Sequence, residues 1–204
     1  MNKLDRRVRS ICGSVNLKDY SVSDVGNLTY KLVDYLNDKS VVKEYYFIFH
    51  TETDTLHFHY ILIFNRQQML KTWILKFSEC LGLEEIAINI DVLAYRNAHL
   101  RYMLHIDEES KKVGKKVYDI SSIVTNMNPK LLSAFIHSKN DSDKLDIYSL
   151  ELICVQCMGN IVEIMEFLDL TLYHKYRFEI GLILEHFAII KLKFDNDESL
   201  ELPF

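Results

Sequence analysis

Val41-Val42-Lys43-Glu44-Tyr45-Tyr46-Phe47-Ile48-Phe49-His50, then the polar link Thr51-Glu52-Thr53-Asp54-Thr55, then Leu56-His57-Phe58-His59-Tyr60-Ile61-Leu62-Ile63-Phe64: these two apolar runs decide the fold. The first is rich in β-branched and aromatic residues and reads as a buried strand. The second alternates, with Leu56, Phe58, Tyr60, Leu62 and Phe64 on one face and His57, His59, Ile61 and Ile63 on the other. The short link makes the two runs an antiparallel hairpin.

Working outward, Arg7 to Val15 reads as an earlier strand. A helix follows, capped by Ser23 or Asp24 and running to about Asn37, with Val25, Leu28, Leu32, Val33 and Leu36 on its apolar face. Beyond the hairpin the pattern predicts a helix over 69–81 stopped by Gly82, a strand over 86–92 and a helix over 93–105. This order, β-α-β-β-α-β-α, is that of an α+β fold with a ferredoxin-like, split βαβ antiparallel sheet. Helices bury one face of such a sheet and the other is left for a ligand. The fold carries many functions, so the site must decide which one applies. From Pro129 onward the sequence predicts helices over 130–137, 147–158, 160–170 and 173–190. The expected organisation is a sheet domain over 1–124, a small all-α domain over 125–195 and an acidic tail over 196–204.

Charge separates along the same boundary. The net charge of −5 divides into 17 Lys and Arg against 16 Asp and Glu before residue 125, and 7 against 13 after it. A phosphate-binding surface therefore belongs to the first part, and the acidic second part suits protein contacts. No apolar run approaches the roughly 20 residues that span a bilayer, and the charged N-terminus is not followed by a signal-type stretch. A cytoplasmic protein without membrane contact is expected. Cys154 and Cys157 have no second Cys or His pair at metal-site spacing nearby, so they read as core thiols.

His57-Phe58-His59 is the sharpest local feature. Alternation points both imidazoles to one face, with their Cα atoms roughly 7 Å apart, close enough to converge on one divalent ion. About 0.3 His-x-His pairs are expected by chance in a chain with this many histidines, so the pair alone is weak. Two features strengthen it. The strand is otherwise strongly hydrophobic, so polar residues in it need a reason. Further ligands are also within reach, His50 at the end of the partner run and Glu52 and Asp54 in the link. A His-plus-carboxylate set with open positions suits Mn²⁺ or Mg²⁺.

The last helix of the sheet domain reads Leu93-Ala94-Tyr95-Arg96-Asn97-Ala98-His99-Leu100-Arg101-Tyr102-Met103-Leu104-His105-Ile106-Asp107. Positions 95, 99, 102 and 106 fall on one stripe. His-hydrophobic-His, some forty residues, then Arg101-Tyr102-Met103-Leu104-His105 and the Lys-rich Lys115-Lys116-Val117-Tyr118-Asp119 resembles the HUH endonucleases. It is most similar to the rolling-circle replication initiators of small plasmids of Gram-positive bacteria. The resemblance covers roughly residues 5–125 and, more loosely, the helical remainder.

That resemblance implies a metal-dependent endonuclease that nicks one strand of origin DNA, held single-stranded or as a hairpin. Tyr102 would be the nucleophile, leaving a 5′-phosphotyrosine and a free 3′-OH. It also implies a homo-oligomer built on the helical part, and recruitment of a host helicase. His57 and His59 are the expected metal ligands. The family usually has His-Asp where this chain has His50-Thr51, so the third ligand falls to His50, with Glu52 as the alternate. Lys111 and Lys112 would stabilise developing charge or hold phosphates, or else belong to a solvated loop. Arg101, Lys115 and Lys116 would contact the DNA backbone. A single-tyrosine transposase shares this motif order and chemistry, and a non-catalytic nucleic-acid-binding module shares the sheet.

Overall fold

The computed structural model describes residues 3–52, 55–137 and 147–195. The chain divides into two compact units, Met1–Met127 and Asn128–Phe204.

The first unit is α+β. Its strands are β1 (Arg7–Asn16), β2 (Val42–His50), β3 (His57–Met69), β4 (Ile88–Val92) and β5 (Val124–Thr125), and its longer helices are α1 (Val25–Asn37), α2 (Leu70–Leu81) and α3 (Arg96–Met103). A single turn of helix, α4 (Glu108–Lys112), follows α3. The sheet order is β4-β1-β3-β2-β5, and every neighbouring pair is antiparallel. β1 and β2 both oppose β3, so they run parallel to one another with β3 inserted between them. The expected boundary at residue 125 falls slightly later because Val124 and Thr125 pair with Phe47 and Tyr46 and are held in the sheet.

The pleat sorts the side chains. Ile11, Val15, Phe47, Phe58, Tyr60, Leu62, Ile88 and Ile90 bury one face against Leu28, Leu32 and Leu36 of α1 and Trp73, Phe77 and Leu81 of α2. Burying each large apolar side chain stabilises the fold by roughly 1.5–3 kcal/mol. The α1 face follows the i, i+4, i+8 spacing, and α2 ends at Gly82, whose φ of 68° suits a residue without Cβ. Gly13 meets a different requirement. A Cβ there would overlap the backbone carbonyl of Asn89 and crowd the Tyr60 hydroxyl, which donates to that carbonyl at 3.0 Å.

The helix expected over 93–105 is shorter at both ends. Leu93 N–H still donates to the Ser10 carbonyl (3.4 Å), and Tyr95 is extended, so the β1–β4 ladder delays the first turn. At the other end His105 adopts φ 58°, with Ile106 N–H donating to Arg101 O and His105 N–H to Tyr102 O. This is a Schellman stop in which His occupies the place glycine usually takes.

The described residues of the second unit form α5 (Pro129–His137), α6 (Ile147–Gln156) and α7 (Ile161–Asp195). The two helices expected over 160–170 and 173–190 are one. No proline interrupts 161–195, and Gly181 is tolerated inside the helix. Cys154 and Cys157 are buried free thiols. The acidic tail over 196–204 lies outside the described residues. Among the described residues no helix is long and apolar enough to cross a membrane.

Candidate metal centre and tyrosine cleft

On β3 the pleat that sends Phe58 into the core sends His57 and His59 to the opposite face. The β2–β3 register then sets His50 directly across from His57, and directly paired residues lie on the same side of a sheet. The three rings converge, with centroid separations of 5.1 Å for His50–His57, 4.8 Å for His50–His59 and 5.2 Å for His57–His59. One ring nitrogen from each lies within 4.8 Å of the others, close enough to hold a metal ion.

Backbone carbonyls orient two of these rings. His50 Nε2–H donates to Met103 O at 2.9 Å, and His57 Nδ1–H donates to Thr55 O at 3.1 Å. A carbonyl only accepts, so the proton sits on the bonded nitrogen. The lone pair is left on His50 Nδ1 and on His57 Nε2, the tautomers a metal requires. Burial pushes His50 down to about 4, helped by the neighbouring His105, His57 and Lys115 and opposed by the Met103 bond. Burial and then the surrounding histidines push His59 down to about 3. Both imidazoles are therefore neutral, and able to ligate, at pH 7.

A second tier surrounds the first. Tyr118 stacks on His50 with ring centroids 4.6 Å apart and planes within 5°. His105 approaches His50 edge-on at 4.4 Å and donates from Nδ1 to Lys116 O at 2.8 Å. Glu52, the alternate third ligand, is paired with the Lys116 ammonium and is not one of the three converging groups. The third converging group is His50. Asp54 lies outside the described residues.

Tyr102 comes to the centre from α3. Its ring, 39% exposed, stands edge-to-face against His59 at 5.3 Å. Two features hold α3 in place. Leu100, Met103 and Leu104 are fully buried. Arg96, 7% exposed, donates to Glu44 Oε2 at 2.8 Å and to the Tyr46 hydroxyl at 3.4 Å, while Tyr46 donates to the same carboxylate at 2.8 Å. Beside Tyr102 opens a cleft of about 480 Å³, which His59 also lines.

Of the expected basic residues, Lys115 reaches the site, with its ammonium 5.5 Å from the centre of the Tyr102 ring. Lys116 is engaged with Glu52, and Arg101 is half-buried on α3. Lys111 and Lys112 lie exposed on α4, outside the contacts that join the histidines, Tyr102 and Tyr118. Sequence reading did not single out His105, Tyr118 or the Glu44–Arg96 pair as parts of the site. A lone glutamate in an otherwise buried strand was the available signal for that pair, because buried carboxylates need partners. The chain matches no protein-family model and no curated protein, so the site speaks through its own chemistry.

Proposed function

We propose that this protein is an HUH-type nicking endonuclease that initiates rolling-circle DNA replication. The observation that carries the reading is the convergence of three imidazoles with a half-exposed tyrosine against one of them, 5.3 Å between ring centres. The strand order, with β3 splitting a parallel β1–β2 pair, supports a ferredoxin-like sheet, and DNA would reach it on the face that carries the three histidines and α3.

The donor set fits a divalent cation. His50, His57 and His59 would hold it, and two of them are already in ligating tautomers. All three donors are nitrogen, which favours Mn²⁺ over Mg²⁺, an ion that takes oxygen ligands. When bound, such an ion polarises a phosphoryl oxygen and offsets charge as the phosphodiester is attacked.

The chain's own residues do the rest. The Tyr102 oxygen forms the new bond to phosphorus and its proton passes to solvent. The P–O3′ bond breaks and leaves with a proton as a free 3′-OH, and the 5′ side stays on the protein as a phosphotyrosine. One ester replaces another, so the strand can be rejoined. A phenol is a weak nucleophile at neutral pH, and the Lys115 ammonium beside the ring stabilises the charge that develops on its oxygen. Arg101, Lys111, Lys112 and Lys116 contribute phosphate contacts, which makes binding salt-dependent. Phe178 and Leu182, exposed one turn apart on α7, support subunit contacts by the second unit, and a host helicase is the expected further partner.

A denaturing gel shift tests the reading, using labelled single-stranded oligonucleotides from the cognate origin with Mn²⁺ or with chelator. A covalent band that needs metal and is lost in Tyr102→Phe is the expected result. No band with the cognate origin and Mn²⁺ overturns it in favour of a non-catalytic nucleic-acid-binding module.

A further inference from the structure

One hydrogen bond fixes only part of a ring's orientation. His50 Nε2–H donates to Met103 O at 2.9 Å, which sets one direction within the imidazole and leaves its plane free to tilt about that line. The lone pair on Nδ1 lies in the ring plane. A tilt therefore swings it away from the point where His57 and His59 converge. A carboxylate, with two oxygens and about four lone-pair sites, tolerates such a tilt, and an imidazole with one lone pair does not. His50 needs a second constraint before it can serve as a ligand.

Tyr118 meets that need. Its ring lies parallel to His50, with planes within 5° and centroids 4.6 Å apart, a favourable stacking distance. Tilting His50 about its hydrogen bond would drive one edge of the imidazole into the tyrosine face. His105 adds edge contacts to both rings, at 4.4 Å to His50 and 5.5 Å to Tyr118. The segment that carries Tyr118 is itself tied down. Tyr118 N–H donates to Leu104 O at 3.0 Å, Lys116 O accepts from His105 Nδ1 at 2.8 Å, and the Lys116 ammonium pairs with Glu52. The Tyr118 hydroxyl is hydrogen-bonded to the Thr51 backbone. Leu104 and Thr51 are the chain neighbours of Met103 and His50. The tyrosine is thus anchored beside the same two points that anchor the imidazole.

We infer that Tyr118 is a positioning residue for the metal centre, its flat face setting the plane of His50 so that Nδ1 is aimed where His57 and His59 converge. The inference rests on the metal centre of the reading above and gives a second tyrosine a role other than attack. Tyr118 acts through His50, and the face of its ring does the positioning. Any flat ring at this place serves, and a side chain of similar bulk without a flat face does not.

The test uses the full chain titrated with Mn²⁺, with the free aqua ion read by electron paramagnetic resonance. Tyr118→Phe keeps the face and should bind within about twofold of wild type. Tyr118→Leu fills the space without a face, and Tyr118→Ala empties it. Both should bind about tenfold more weakly, the loss usual when the support of a metal-ligating histidine is removed. Tyr118 is only half-buried, and thermal unfolding without metal checks that each variant is folded. Should Tyr118→Ala not fold, Tyr118→Leu decides. Wild-type affinity in Tyr118→Leu would show that bulk alone suffices and overturn the inference, leaving the metal centre standing. A loss in Tyr118→Phe as large as in Tyr118→Leu would give the role to the hydroxyl and overturn it as well. No Mn²⁺ bound by the wild-type protein overturns the metal centre and the inference together.

Discussion

The rings of His59 and Tyr102 meet edge to face, 5.3 Å between centroids with planes 87° apart, across the gap between β3 and α3. Forty-three positions separate them in sequence. The contact joins the proposed metal ligand to the proposed nucleophile, and removing only the phenolic oxygen isolates the chemistry. Tyr102→Phe keeps the ring, so its packing on His59 and the stability of the protein should be unchanged. Covalent adduct should fall below detection while equilibrium binding of origin DNA, read by fluorescence anisotropy, stays within about threefold, since aromatic contact rather than the hydroxyl supplies the packing. Binding lost together with the adduct would assign Tyr102 a structural role.

Metal should stabilise the folded chain by mass action. At a free Mn²⁺ concentration one hundred times its Kd the gain is about 2.7 kcal/mol, visible as an upward shift in thermal unfolding. Mg²⁺ at the same concentration should give less, because the three donors that converge are imidazoles. His59→Ala should remove the shift and Glu52→Ala should leave it intact, since Glu52 is paired with Lys116. A shift that survives His59→Ala places the ion elsewhere.

Acid should weaken the metal-free protein earlier than carboxylate titration alone would. His50 is held down to about 4 and His59 to about 3 by burial, whereas an unfolded histidine titrates near 6.5. Between those values the unfolded chain binds more protons than the folded one, so stability falls as pH drops below about 6.5 and continues to fall towards 4 and 3. Urea unfolding at pH 7.5 and pH 5 should show the loss, and His59→Gln should show a smaller one. A pH dependence identical in wild type and variant would exclude His59 as a contributor.

Arg96 should be costly to remove. Arg96→Ala leaves Glu44, a largely buried carboxylate, with only the half-exposed Lys43 ammonium at 3.3 Å, and losing the buried partner costs about 3 kcal/mol. Arg96→Met with Glu44→Leu should recover much of this in stability, because the desolvation penalty disappears with both charges. A double variant no more stable than Arg96→Ala would show that the pair contributes through its geometry with Tyr46.

Local patterns in the chain were enough to place His57 and His59 together on the face of a strand away from Phe58, because side-chain alternation is a property of the extended backbone. They also sufficed for the apolar face of α1 and the stop at Gly82, where spacing and glycine's tolerance of positive φ act within a turn or two. Contacts between elements were beyond their reach. The β2–β3 register decided that His50 stands across from His57, and a shift of one residue would have turned it into the core. Packing decided that Glu52 meets Lys116, 64 positions away, and leaves the third ligand place to an imidazole. The limits of α3 followed from its surroundings too. The β1–β4 ladder holds Leu93 at one end, and at the other His105 takes a left-handed turn that brings it to Lys116 O and to the edge of His50. Periodicity reports on neighbours along the chain. Convergence of side chains from different elements depends on register and packing, which exist only once the sheet has formed.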